Sequence, residues 1–382
     1  MNVLSPATIV LYLISLFSLL GCSSTPSKTI NQQNSVPLFK DYQDIGMALS
    51  EELNKEYLAG TFEGTVLIAS NQKMLLNYSY GWAQRENKLK NSNRTISDMG
   101  SIAKTFTAAA VLQLVSNGKL KLDDTIGDFY PEAPIDKKRL TIEQLLSHSS
   151  GMDNFHNKTD FDKMNKAEAL KKILEMPVIA RPDEKIAYSN AAYTLLAAIV
   201  EQRSGQLFQR YIHQNILTPL SLSDTGFYGA TDIPDARLTH GYGGADNGST
   251  TFEKGLTWAL VGQGGMVTST NDLYAWFDAL LQGKIFPDNA QNLTFLTANE
   301  KWKLGNIRHF DSWGPQILHM GGSTDYGYTA LIQYIPEYQV VIVMLLNAYN
   351  EKYAQATHQE ISKNHIVPIL VKGESVLKVS ND

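Results

Sequence analysis

The sequence predicts an α/β (α+β) domain: an antiparallel sheet flanked by N- and C-terminal helices, with an all-helical subdomain inserted at about 119–250. Three observations predict it. Strand-like runs lie toward the two ends, "TVLIAS" (65–70) and "MLLNYSY" (74–80) on one side, "YTALIQY" (328–334) and "YQVVIVMLLN" (338–347) on the other. Between them the chain reads mostly as helical pieces and loops. Amphipathic helices at 41–59 and 350–366 border the strands, so a sheet closed from both chain ends has both to cover a face.

The first 22 residues, ending at Cys22, carry no Asp, Glu, Lys or Arg. Their apolar run from Ile9 to Leu20 has the length of a signal-peptide core and is too short to span a bilayer. Leu19-Leu20-Gly21-Cys22 resembles a bacterial lipobox, at which a signal is cut and the following cysteine acylated. Residues 1–21 are therefore expected as a lipoprotein signal peptide. Acylated Cys22 would hold the protein to a membrane of the cell envelope, the outer one, facing the periplasm. Residues 22–40, rich in Ser, Asn, Gln and Pro, read as a flexible tether, 41–372 as the folded domain and 373–382 as a tail. With Cys22 the single cysteine, no intramolecular disulfide can form and stability must come from the core. A formal net charge of -5 with no run of Lys and Arg argues against a nucleic-acid partner, and no window repeats at a fixed period.

Inside the domain, Ile45, Met47, Leu49, Leu53 and Tyr57 gather roughly on one side of helix 41–59. Asn71-Gln72-Lys73 joins the first two strands as a hairpin turn. The next helix stops near Asn117-Gly118. "TIEQLLSHSSGM" (141–152) opens on Thr141 as N-cap and ends in a Ser/Gly loop. "AAYTLLAAIVEQRSG" (191–205) is a helix with a Ser-Gly stop, and "TSTNDLYAWFDALLQG" (268–283) is a capped helix. Ile335-Pro336-Glu337 turns between the last two strands. Sheet pairing must then set 65–80 beside 328–347, and a cleft between sheet and helical insertion is the natural place for a site.

The chemistry starts in "ISDMGSIAKTFTAAAVLQL" (96–114), where Ser101 and Lys104 stand three apart at the entrance of an apolar helix. Residues i and i+3 share a helix face, with Cβ atoms about 5–6 Å apart. A serine hydroxyl attacks only after a neighbouring base takes its proton, and burial lowers a lysine pKa toward a useful value. At the first turn, free backbone N–H groups can also receive an oxyanion. In "RPDEKIAYSNAAYTLLAAIVEQRSG" (181–205), Tyr188 and Asn190 are two apart in an extended loop and point the same way. "GQGGMVTSTNDLYAWF" (262–277) follows, and "HMGGSTDYGY" (319–328) puts a histidine and paired glycines just before a strand.

In this order, these motifs resemble the serine β-lactamase and penicillin-binding-protein superfamily. The likeness is to its class C-like branch of β-lactamases, D-alanyl-D-alanine carboxypeptidases and family VIII esterases, over about residues 45–366. The resemblance implies Ser101 as the acylated nucleophile, Lys104 as its proton acceptor or electrostatic partner, and Tyr188 as proton relay. It implies substrate contacts from Asn190, His319, Gly321 and Gly322, the Gly322 N–H joining that of Ser101 in an oxyanion hole. His319-Met320-Gly321 stands where many β-lactamases carry Lys-Thr-Gly. A mostly neutral histidine anchors a carboxylate less well than lysine, and Met320 removes a hydroxyl. The implied function is a serine hydrolase acting through an acyl-enzyme on a small ester or amide, or a peptidoglycan-derived D-alanyl peptide, with no cofactor. Alternatives are a class C-like β-lactamase and a catalytically silent, penicillin-binding-like capture protein.

Other residues carry plainer expectations. Ser147-His148-Ser149-Ser150-Gly151 lacks the first glycine and the preceding strand of a G-x-S-x-G elbow, so His148 reads as a hydrogen-bonding loop residue. His240 reads as structural and Tyr242 as a cleft-border residue. His156, His213, His309, His358 and His365 show no metal-ligand spacing, so no metal is expected. The glycines at 262–265 suit a tight turn in the cleft wall, and Tyr274, Trp276 and Phe277 suit the core.

Overall fold

The structure, a computed structural model, describes residues 39–230, 233–245, 247–286 and 307–379. The signal peptide, Cys22 and nearly all of the tether lie outside the described residues. Among the described residues the strands are β1 (Gly64–Ser70), β2 (Lys73–Tyr80), β3 (Trp82–Gln84), β4 (Leu89–Lys90), β5 (Ser97–Asp98), β6 (Gly226–Phe227), β7 (Met266–Thr268), β8 (Arg308–Phe310), β9 (Ile317–Ser323), β10 (Thr329–Ile335) and β11 (Val340–Leu346). The α-helices are α1 (Tyr42–Leu58), α2 (Ala103–Ser116), α3 (Ile126–Phe129), α4 (Ile142–Leu146), α5 (Lys166–Glu175), α6 (Asn190–Ser204), α7 (Phe208–Ile212), α8 (Thr270–Leu281), α9 (Thr357–Ile361), α10 (Val367–Lys372) and α11 (Glu374–Val379). None of the helices among them is long and apolar enough to cross a membrane.

The expected closure of the two chain ends is present. The main sheet is antiparallel in the order β2-β1-β11-β10-β9-β8, and β1 runs against β11 from Gly64↔Leu346 to Ser70↔Val340. Asn71 and Gln72, at φ 48° and 61°, make the turn into β2, a left-handed pair whose twist suits a two-residue hairpin. β1 and β11 are buried at every position because both faces of the sheet are covered. Val66, Ile68, Ile342 and Met344 pack with Leu49, Leu53, Ile366 and Leu370 of the terminal helices. Their neighbours Leu67, Ala69, Val343 and Leu345 point the other way, to Phe106, Leu196 and Trp276. The long helices at the site's base, α2 and α6, thus stand on the sheet through one continuous apolar layer.

Several elements differ from the sequence expectation. Met47 is exposed, because two residues beyond Ile45 a helix has turned about 200° away from the buried side. Residues 350–356 are turns: Asn350 Oδ1 accepts the N–H groups of Lys352 and Tyr353, and Ala354 adopts φ 44°, so helix begins only at Thr357. It then continues beyond 366, through a π turn at Ser362–Ile366 ahead of Pro368, which has no N–H to donate. Part of the presumed tail is α11, with Leu377 buried in the terminal-helix core. The insertion is not all helical: β6 pairs with β7, and β7 with β5, in a small three-stranded sheet. His319 to Gly322 precede β10 as expected and themselves lie in a strand, β9, between β10 and β8.

Candidate active site

A cavity of about 660 Å³ opens between the end of β9 and the helical insertion. Ser101, Tyr188, Asn190, His319, Gly321 and Gly322 all line it. Ser101 sits in a 3-10 turn, Gly100–Ile102, which leads directly into α2. Lys104, in the first α turn behind it, is fully buried. Its Nζ lies 3.2 Å from Ser101 Oγ and donates to the Gln263 carbonyl at 2.7 Å. Tyr188 OH is 2.8 Å from the same Oγ. The spacing of 101 and 104 along the helix and a loop 87 residues away therefore converge on one hydroxyl.

Burial sets the proton affinities. It pulls the Lys104 ammonium down to about 7, and the nearby Asp160 carboxylate only partly offsets this. Burial pushes the Tyr188 phenol well above its usual value, against the opposing pull of its Ser101 hydrogen bond. At neutral pH the amine can be free to accept a proton while the phenol stays protonated. Tyr188 is held from beneath by His148, whose ring lies 4.6 Å away, centroid to centroid. His148 Nδ1 accepts the Ser189 N–H at 3.1 Å, and burial holds the ring neutral. Asn190 opens α6 beside Tyr188, its N–H donating to Asn154 Oδ1.

The backbone at Ser101 is shaped by its neighbours. Gly100 has φ 52°, and a Cβ there would meet Ser323 N at 2.7 Å. Asp98 Oδ1 accepts the Gly100 N–H at 2.8 Å, and its other oxygen accepts from Tyr228 OH and Thr251 Oγ1. A Cβ on Gly322 would strike the Met99 carbonyl at 2.1 Å and Ser101 N at 2.9 Å. The paired glycines that weaken β9 as a strand signal are what let it lie against the turn that carries Ser101. Gly264 and Gly265 line the cavity, and the Gly262 carbonyl accepts from Thr107 Oγ1 at 2.7 Å.

The wall opposite Tyr188 carries two histidines that burial keeps uncharged, with Arg308 beside them. Ser362 Oγ donates to Gln333 Oε1, leaving the Gln333 amide to donate to His319 Nδ1 at 3.1 Å. That chain puts the His319 proton on Nε2. Burial drives His319 well below the usual imidazole value and takes His358, its stacked neighbour at 6.2 Å, down to about 3. Met320 is buried in the core and offers nothing to the cavity. Arg308, paired with His319 across β8 and β9, also lines the cavity.

Other sequence expectations find their places away from this cluster. Ser149 Oγ donates to Asp183 Oδ1 at 2.7 Å and does not line the cavity. Tyr242 is not at the cleft border: its OH donates to Glu86 and accepts the Arg85 N–H, and the residue is buried. His240 Nδ1 lies 3.4 Å from Glu86. Trp276 and Phe277 are in the core, with Tyr274 packed against it. Among the described residues Glu52, Glu56 and His365 come close enough to share an ion, but they already engage one another, at 2.8 Å and 3.5 Å from the two ring nitrogens. Sequence reading missed Asp98, Asp160, the Gln263 carbonyl, Arg308 and His358. Of these, only the glycines flanking Gln263 left a signal.

A family model described as Beta-lactamase matches residues 50–363. A putative penicillin-binding protein, PbpX, of Bacillus subtilis is 29% identical over 234 residues, covering 61% of this chain; the chain spans 59% of that relative's length. A teichoic acid D-alanine hydrolase of Staphylococcus aureus is 22% identical over 315 residues, 82% of this chain and 78% of the relative. The crystal structure of D-amino acid amidase from Ochrobactrum anthropi SV3 superimposes with a TM-score of 0.75 at 18% identity, covering 87% of this chain and 99% of that one. That likeness shows a shared fold.

Proposed function

The chain belongs to the beta-lactamase family, and on that premise we propose that it is a serine hydrolase that cleaves small D-alanyl esters or amides through an acyl-enzyme. The observation that carries this reading is the single hydroxyl, Ser101 Oγ, within hydrogen-bond reach of both a neutralisable amine and a phenol on a cavity wall. Lys104 takes the Ser101 proton as Oγ bonds to the carbonyl carbon. The resulting oxyanion is received by the backbone N–H groups of Ser101 and Gly322. As the tetrahedral adduct collapses, the proton passes from Lys104 through the Tyr188 hydroxyl to the leaving oxygen or nitrogen, and the bond to it breaks. Water, activated by the same pair, then hydrolyses the Ser101 ester. Tyr188 acts here as a neutral relay, because its raised proton affinity keeps it from serving as a phenolate base. The relative named for D-alanine hydrolysis supports the acyl group. The neutral His319 and the buried Met320, in place of Lys-Thr, leave Arg308 as the charged group on this wall, so a carboxylate-bearing substrate would be anchored there and not by the residue at 319.

The test is the purified domain with a D-alanyl ester, p-nitrophenyl butyrate and nitrocefin, each followed by intact-mass measurement. The expected result is ester turnover with an acyl adduct on Ser101, and a loss of about 10^4 to 10^6 in kcat/KM for Ser101→Ala. Nitrocefin turnover matching the ester would establish the β-lactamase reading instead, and no adduct with any probe would overturn the acyl-enzyme reading and favour a capture protein. Export and acylation at Cys22 belong to the same proposal. Cys22→Ala is expected to leave the membrane fraction, and unchanged sedimentation would remove the anchor.

A further inference from the structure

Three carboxylates stand on or just behind the wall of the cavity, and two of them accept side-chain hydrogen bonds. Asp98 accepts from Gly100, Tyr228 and Thr251, and Asp325 accepts from Gln355 Nε2 at 2.7 Å. Asp160 is different. It lines the cavity, is half-buried, and has no hydrogen-bond or ion-pair partner among the described residues. Its field reaches the catalytic cluster, since it holds the Lys104 ammonium up and also raises the Tyr188 phenol. The cations around the cavity form no ion pair with Asp160 among the described residues. Lys254 stacks over Phe161 and Tyr326 at 4.7 Å and 4.5 Å, Lys158 is exposed on the rim, and Arg308 belongs to the His319 wall.

A carboxylate partly withdrawn from water and without a donor is under-satisfied, and a ligand that brings a positive charge relieves this. Burial, with Asp325 and Asp98 nearby, pushes its pKa up to about 6, which leaves it mainly ionised at neutral pH. In an aminoacyl group the α-nitrogen lies about 2.5 Å from the carbonyl carbon, so an acyl carbonyl at Ser101 leaves that nitrogen inside the cavity that Asp160 also lines. We propose that Asp160 receives the free α-ammonium of the acyl group, so that the substrates are unblocked aminoacyl esters or amides. The inference rests on the serine hydrolase reading and narrows it. A D-alanyl unit whose nitrogen is already in a peptide bond carries no charge there, so a carboxypeptidase substrate is disfavoured.

The experiment compares D-alanine p-nitrophenyl ester with its N-acetyl and des-amino (propionyl) counterparts. Wild-type kcat/KM is expected to favour the free amine by about a hundredfold, short of the roughly 10^4 to 10^5 by which a fully buried polar site rejects an analogue lacking its partner, because Asp160 is only half-buried. In Asp160→Asn that ratio is expected to fall toward one, mainly through KM for the amine. A ratio unchanged by the substitution, or absent from the wild type, overturns the inference while ester turnover leaves the hydrolase reading intact. Calorimetry on Ser101→Ala with D-alaninamide against propionamide separates the opposite case. Binding of the amine that Asp160→Asn abolishes upholds Asp160 even if no Ser101 adduct is ever found, and equal binding of the two amides sinks it.

Discussion

Asp98 and Lys104 stand three residues to either side of Ser101, both buried, and they have opposite fates. Asp98 is surrounded by donors: a backbone N–H, a phenol and a threonine hydroxyl all point at its two oxygens. Lys104 has no carboxylate in hydrogen-bond contact, only a peptide carbonyl and the Ser101 hydroxyl, which under the proposed mechanism it deprotonates. The first is an ionisable group used as a brace for Gly100. The second is kept short of compensation, so that its proton is loosely held. Whether a buried charge serves as scaffold or reagent is set by how completely its neighbours satisfy it.

Substitution of each residue distinguishes the two roles. Lys104→Met is expected to lower the acylation rate between a hundredfold and ten-thousandfold, the span of general-base effects, while making the protein more stable by about 1–3 kcal/mol. The sign follows from the depressed affinity. A lysine at about 7 in the fold and near 10.4 when unfolded costs stability in full below pH 7, and the cost fades as pH rises toward the unfolded value. The melting-temperature gain of the variant should therefore be largest at pH 6–7 and shrink toward pH 10, and wild-type acylation should climb with pH through about 7. A variant less stable than wild type at pH 6 would contradict the account. Asp98→Asn is expected to act more weakly on rate, about tenfold to a hundredfold through displacement of Ser101, and to cost about 1–3 kcal/mol because donors then face an amide NH2. Its acylation midpoint should stay where Lys104 sets it. Stopped-flow acylation across pH reads this directly, and a shifted midpoint would make Asp98 part of the proton chemistry.

The sequence made some of this legible. Ser101 and Lys104 could be paired because helix geometry relates residues three apart, and the hairpin at 71–72 and the helix at 190–204 carry their own turn and cap residues. β9 was harder to read because Gly321 and Gly322 dilute the strand pattern, and their reason, the approach of Met99 and Ser101, lies on another element. Helix 357–372 was misplaced at its start because Asn350 spends its side chain on a local turn, a competition that apolar spacing does not register. Asp160 left no sign at all: "KTDFDK" is an ordinary polar loop until it is folded over the cleft.

Local rules, the period of helix and strand and the chemistry of turns, were sufficient to put Ser101 and Lys104 on one helix face and to name the sheet that closes the chain and the helices that cover it; the role of Ser101 came from the resemblance of the motifs in order. Those rules act over a few residues and are written in neighbouring side chains. The proton affinity of Lys104, the neutrality of His319 and the unmet charge of Asp160 arise from exclusion of water and from partners distant along the chain. Those properties come into being only when the sheet, the insertion and the paired glycines close around the same cavity, since desolvation belongs to a place in the fold and not to a residue.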